Sequence, residues 1–337
     1  MEYFIIDHGK MWEGIRKILS RKSADGVEVR VMYDDIGSAG RLGTFYYKKL
    51  KKEGINCVKF NPFRPVISGI HNNRDHRKIT VIDGRCAYTG GVNIADEYIN
   101  EKKRFGHWKD CALKVEGEAV KNFTAMFLET FDATSKTVSD YAKYLDCGYE
   151  KFEGGGCVHP FGDGPKPFYN ELVGSNTIIN IISAAKEYVY ITTPYLIPDY
   201  NLVSALRAAA MRGVDVKIIT PHIPDKKIIF YMTRSNYKYL LQSGVKIYEY
   251  APGFIHAKSV VSDGAIALTG TINLDYRSLV HHYECGAVLY KDPSINDIVT
   301  DFENTLCVSR EMREGNYKMN AFASLINAVL KLFSPML

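Results

Sequence analysis

Two stretches of this chain, HRKITVIDGRCAYTGGVN from His76 and HAKSVVSDGAIALTGTIN from His256, carry the same polar residues at the same spacing. His76, Lys78, Asp83, Gly90 and Asn93 stand at offsets of 0, 2, 7, 14 and 17, and His256, Lys258, Asp263, Gly270 and Asn273 repeat them. On a strand, residues two apart share a face, so each histidine projects beside a lysine. Packing gives little reason to put an imidazole next to an ammonium. A neutral imidazole can attack phosphorus, while lysine and asparagine donors hold the oxygens on which charge builds. A second imidazole can protonate the departing oxygen and later deprotonate an incoming alcohol. One site built from two facing copies needs every residue type twice.

Each histidine needs a partner at its other ring nitrogen to fix the tautomer and stabilise the imidazolium. The candidates head the strand after each motif: Asp110 in WKDCALKV, expected to bond His76, and Glu284 in YECGAVLY, expected to bond His256. Asp83 and Asp263 lie an odd seven residues from their histidines, and a glycine follows each. That pattern suggests a turn at a strand end, where the aspartates brace the motif. The glycines of TGG at Thr89 and TGT at Thr269 are expected to let backbone approach a phosphate closely. His107, His281 and His282 lack the doubled context and read as ordinary structural histidines.

Elements that could hold such a site are themselves doubled. EYFIID at Glu2 matches EYVYIT at Glu187, DGVEVRVMYD at Asp25 matches RGVDVKIITP at Arg212, and EGINCVKFNPF at Glu53 matches SGVKIYEYAPGF at Ser243. The pairs keep their order, with shifts of 185, 187 and 190, then 180 for the histidine motifs. This is an internal duplication. Short β-branched runs alternate with amphipathic runs such as SALRAAAMR, which predicts an α/β fold of two pseudo-symmetric halves, each with a largely parallel sheet flanked by helices. The first half is expected over residues 1–140 and the second over 171–315. Between them a linker over 141–170 is rich in turn formers. The helix SNTIINIISAAK precedes the Glu187 strand, whereas nothing precedes Glu2. The first half is therefore expected to lack its leading helix, through shortening or as a natural variant.

Composition narrows the function classes. With 46% apolar and 24% charged residues the chain is globular, and a net charge of +5 suits a polyanion or an anionic membrane without choosing between them. Seven scattered cysteines without C-x-x-C spacing argue against a disulfide framework or a zinc site and for a reducing compartment. No run reaches the roughly 18 apolar residues of a membrane span. Many of the 23 tyrosines suit wet interfaces as well as cores.

The paired H-x-K-x4-D stretches resemble the signatures of the phospholipase D superfamily. More narrowly, NRDHRKI, GGVNIADEY, TPYLIPD, GFIHAKS, GTINLDYRS and the terminal FSPML resemble the bacterial cardiolipin synthases, over nearly the whole chain. The resemblance implies a two-step phosphatidyl transfer with neither metal nor cofactor. One phosphatidylglycerol gives its phosphatidyl group to a histidine, and the glycerol hydroxyl of a second takes it. It implies that His76, Lys78, Asp83, His256, Lys258 and Asp263 form the catalytic set, with His76 as nucleophile and His256 as general acid and base. Asn93 and Asn273 hold the phosphate, and Tyr195, Arg234 and Arg277 are further substrate-binding candidates. It also implies work at the cytoplasmic side of a bacterial membrane; such synthases usually carry N-terminal membrane helices, which this chain is expected to lack.

A phospholipase or another transphosphatidylase would use the same residues with water or another alcohol as acceptor. A nuclease of the superfamily would need a basic groove, which the modest charge does not favour, and a non-catalytic membrane protein would not require both motifs. At the C-terminus, residues 316–337 read as an amphipathic helix. Met319, Phe322, Leu325, Ile326, Val329, Leu330 and Phe333 form its apolar stripe, set either against the protein's own core or into an anionic membrane surface.

Overall fold

The computed structural model describes residues 1–63, 72–149 and 155–316. Two mixed sheets form the frame. The first runs in the spatial order Asn56–Phe60, Arg30–Asp34, Glu2–Tyr3, Lys78–Ile82, Cys86–Gly90, Ala112–Glu116. The second repeats that order with Lys246–Tyr250, Asp215–Pro221, Tyr188–Thr192, Ser259–Ser262, Ile266–Gly270 and Glu284–Tyr290, and adds Ser309–Met312 and Cys157–Asp163 as its edges.

Only the first three strands of each repeated set run parallel. Helices such as Lys10–Ala24 and Tyr200–Met211 make the crossovers there. The expectation of a largely parallel sheet fails at the motifs, where the strands turn back antiparallel. The Asp-Gly pair in each copy accounts for the hairpin that follows the motif strand. Asp83 and Gly84 both adopt positive φ (54° and 65°), as do Asp263 and Gly264 (53° and 61°), which closes a tight hairpin.

Strand register also corrects one repeat pairing. Glu2 lies opposite Ile79, and Thr192 lies opposite Ser259, 180 residues beyond Ile79. Glu2 therefore matches Thr192, a shift of 190, and not Glu187. The stretch expected to be a bare linker, 141–170, contributes the helix Tyr141–Leu145 and the edge strand Cys157–Asp163, which pairs with Glu284–Tyr290. The leading helix of the second half, Val173–Ala184, buries Ile178, Ile181 and Ile182 as their spacing predicts.

The hairpin regions of the two sheets share a core in which Ile79, Val115 and Phe123 of the first half meet Val261, Ala267 and Leu289 of the second. Backbone also crosses between the halves. Gly253–Ile255 pairs in parallel with His107–Lys109, and Asp75 bridges Tyr283 in the same sense. The C-terminal stripe at 318–337 lies outside the described residues.

Candidate active site

Those two crossings decide which acid reaches which histidine. The His256 N–H donates to the Lys109 carbonyl at 2.6 Å, one residue before Asp110. The His76 N–H donates to the Tyr283 carbonyl at 2.9 Å, one residue before Glu284. Each histidine is thereby laid beside the acid of the other half. His76 Nδ1 lies 2.9 and 3.0 Å from the two Glu284 oxygens, and His256 Nδ1 lies 2.8 Å from Asp110 Oδ2. The expected pairing, Asp110 with His76 and Glu284 with His256, is therefore reversed. Sequence order gave the right residues, but a parallel bridge between halves cannot be read from either copy alone.

With Nδ1 engaged, Nε2 of each ring is left for the cavity of about 850 Å³ that both histidines line. Asn93, Asn273, Tyr195 and Arg277 line it too. The Asn93 amide is fixed by the Ile5 N–H at 3.0 Å and by the Tyr98 hydroxyl at 2.7 Å. Lys78 and Lys258 are buried and are not among the residues that line the cavity; each ammonium donates to the carbonyl of its own motif histidine at 2.5 Å. One of three N–H donors is thus used on each, leaving two.

Burial sets the protonation of the site. It drives the His76 imidazole well below its ordinary range and the His256 imidazole down to about 4; Lys78 and Lys258 assist, and the paired acids oppose. Lys78 falls to about 7 and Lys258 to about 8, again chiefly through burial. Burial pushes Glu284 and Asp110 up, but their histidine partners and hydrogen bonds outweigh it and hold both below the usual carboxylate range. At neutral pH the site therefore offers two neutral imidazoles beside two lysines that are easily charged.

Other candidates fall outside the cavity. Asp263 accepts from the N–H groups of Lys186, Glu187 and Tyr188 at 2.8, 3.0 and 2.9 Å, bracing the start of a strand. Asp83 is exposed at the equivalent turn. Neither aspartate lines the cavity, and Asp263 takes the bracing role that its spacing suggests. Arg234 is spent on the buried Glu249 carboxylate at 2.7 and 2.8 Å and does not line the cavity either. Gly90 and Gly270 pack against the Cys111 and Cys285 carbonyls of the next strand, where an added Cβ would stand 2.3 and 2.4 Å away. Close approach of strands, and not of phosphate, requires glycine there.

Three residues were missed. Asp34, fully buried, holds the Arg74 guanidinium at 2.8–3.1 Å and the Asp75 N–H at 3.0 Å, fixing the chain that leads into His76. Trp108 and His282 line the cavity beside the motif histidines, with ring centroids 5.2 Å from His256 and 5.4 Å from His76 respectively. Each stands two residues before its acid, and the period of a strand could have shown this.

Two like halves converging on paired histidine–lysine motifs are the build of the phospholipase D superfamily, here of its phosphatidyltransferase class. The family described as cardiolipin synthase, PLD-like domain, matches residues 1–129 and 178–306, and the chain belongs to this family. A cardiolipin synthase of Alkalihalophilus pseudofirmus is 37% identical over 340 residues, covering 100% of this chain and 67% of its own length. An uncharacterized protein of Streptococcus mutans is 47% identical over 338 residues, covering 100% of this chain and 73% of its own. This chain thus spans about two thirds to three quarters of these two relatives. In fold it is similar to the phosphatidylserine synthase of Haemophilus influenzae, with a TM-score of 0.71 at 16% identity over 99% of this chain and 87% of that one.

Proposed function

We propose that the chain transfers a phosphatidyl group between two phosphatidylglycerol molecules, making cardiolipin and glycerol through a phosphohistidine. The observation that carries this reading is the crossed arrangement, in which two histidine–acid pairs present Nε2 to one cavity. His76 Nε2 attacks phosphorus, the bond to the glycerol oxygen breaks, and His256 delivers the proton to that oxygen. The negative charge of the bound phosphodiester raises both imidazoles, so that His256 can hold that proton. A second phosphatidylglycerol then loses its hydroxyl proton to His256, its oxygen attacks phosphorus, and the phosphorus–nitrogen bond breaks. Lys78, Lys258, Asn93 and Asn273 stabilise the equatorial charge in both steps, with Tyr195 and Arg277 on the cavity wall holding the head groups.

Both substrates are membrane lipids. Among the described residues no helix is long and apolar enough to cross a membrane. Contact with a bilayer surface is supported by the helix Lys227–Ser235, which exposes Ile228 and Tyr231 while Ile229 and Met232 line the cavity. Seven free thiols suit a reducing compartment.

Incubation of the chain with phosphatidylglycerol vesicles tests the reading. Cardiolipin and glycerol in equal amounts, absent with His76→Ala, are expected. Phosphatidic acid as the main product would convert the reading to hydrolysis.

A further inference from the structure

The residue two places before each acid differs between the two copies and lies beside a reacting ring. In the first half Trp108 stands two residues before Asp110, and its indole N–H is spent on Asp110 Oδ2 at 3.2 Å. In the second half His282 stands two residues before Glu284, and its Nδ1 stops 3.6 Å from Glu284 Oε1, beyond hydrogen-bond reach. Glu284 is already bonded by His76 and by the Thr271 and Ser278 hydroxyls at 2.5 Å each.

His282 is only 9% exposed, and among the described residues neither of its ring nitrogens has a hydrogen-bond partner. An imidazole always carries at least one N–H, and leaving a buried donor unmet is costly, so such a group calls for a partner. Glu284 comes no nearer to Nδ1 than an ion-pair distance of 3.6 Å, and Nε2 has no protein partner among the described residues. The ring faces His76, Glu284, Phe4 and Asp275, and the remaining side is the cavity wall that it helps to form. A phosphorus atom in position for attack lies roughly 3–3.5 Å from the attacking nitrogen. The oxygens around that phosphorus come within reach of a ring whose centroid is 5.4 Å from that of His76.

We propose that His282 is a phosphate-binding residue, a ring N–H donating to a non-bridging oxygen of the phosphate held at His76. The inference rests on the reading of the cavity as a phosphodiester site. The His76 side then makes one phosphate contact that the His256 side, closed by Trp108, cannot make.

Orthovanadate, an oxyanion mimic of the reacting phosphate, separates the two ideas when its binding is measured by calorimetry. His282→Phe keeps a ring against Phe4 and His76 but has no donor, whereas His282→Gln keeps a donor without the ring. Wild-type protein is expected to bind vanadate, His282→Phe about tenfold or more weaker, and His282→Gln within about threefold of wild type. Equal binding by wild type and His282→Phe overturns the proposal and leaves the phosphodiester reading standing. Equal losses in both variants also overturn it, because the ring would then serve packing. Failure of the wild-type protein to bind vanadate overturns both. A second measurement needs no variant: the ring nitrogen resonances of His282 should move when vanadate is added, and unmoved resonances overturn the proposal.

Discussion

Asp110 and Glu284 occupy corresponding places and are held in different ways. Asp110 receives the Trp108 indole and the Cys111 N–H, at 3.2 and 2.9 Å, besides His256. It fits because Gly91 faces it, where a Cβ would stand 2.0 Å from Oδ1. In the other copy Thr271 replaces that glycine, and its hydroxyl, with that of Ser278, bonds Glu284. The longer acid also spans His76 Nδ1 with both oxygens. Each carboxylate accepts from three donors, which keep it ionised, but only Glu284 meets its histidine through both oxygens. That two-point hold suits a ring that must carry phosphorus on one nitrogen and a proton on the other, which favours His76 as the nucleophile in the proposed mechanism.

The strongest way to break this comparison is to remove each ring. His76→Ala and His256→Ala should each lower turnover by about four orders of magnitude or more. With a donor carrying an activated leaving group, His256→Ala should still accumulate labelled enzyme and His76→Ala should not. Label trapped on His256 would reverse the roles.

Next in size are the acids. Glu284→Gln and Asp110→Asn should each cost about 10²- to 10⁴-fold. Because the pairs are crossed, Glu284→Gln should add almost nothing once His76 is gone, while Asp110→Asn should still reduce residual turnover. A double-mutant cycle with the opposite coupling would contradict the crossed pairing.

The lysines give a smaller, pH-dependent effect on stability. Lys78 and Lys258 lose their protons near pH 7 and 8 when folded, but only near the ordinary lysine value of about 10.4 when unfolded. Between those limits the unfolded chain binds more protons at the lysines, so stability should rise with pH from about 7 to about 8.5, above which the thiols of Cys57, Cys111 and Cys285, raised by burial, oppose the rise. Urea midpoints across that range should increase, and Lys258→Met should flatten the slope. A falling midpoint in the wild type, with no slope difference in the variant, would refute the assignment.

Least of all, the turn aspartates should differ from each other. Asp263→Gly keeps the left-handed turn but abandons three N–H groups, and should cost about 1–3 kcal/mol. Asp83→Gly should stay within about 0.5 kcal/mol. Thermal unfolding of the two variants measures the difference.

Much of this site was legible because duplication made it so. Two motifs at one spacing named both histidines, both lysines and both asparagines, and the place of Asp110 and Glu284 after them marked the acids. Pairing was hidden, since it depends on backbone bridges at Asp75–Tyr283 and His107–Lys109 between distant segments. Sheet direction could have been read, as Asp83-Gly84 and Asp263-Gly264 are hairpin signals that the alternation of helices and strands overrode. Arg234 misled because a basic residue looks the same in sequence whether a phosphate or the buried Glu249 awaits it. His282 lacks the doubled context that marks the motif histidines, and it is the difference between the copies that matters there.

The exchange of acids between halves has an evolutionary consequence. A half-sized ancestor with one motif would have kept its own acid out of reach of its own histidine. It could have gained a working pair only by associating with a second copy about a twofold axis, each subunit completing the other. Fusion into one chain would then have preserved the exchange while freeing the copies to diverge, and the indole at 108 opposite the imidazole at 282 is a mark of that freedom.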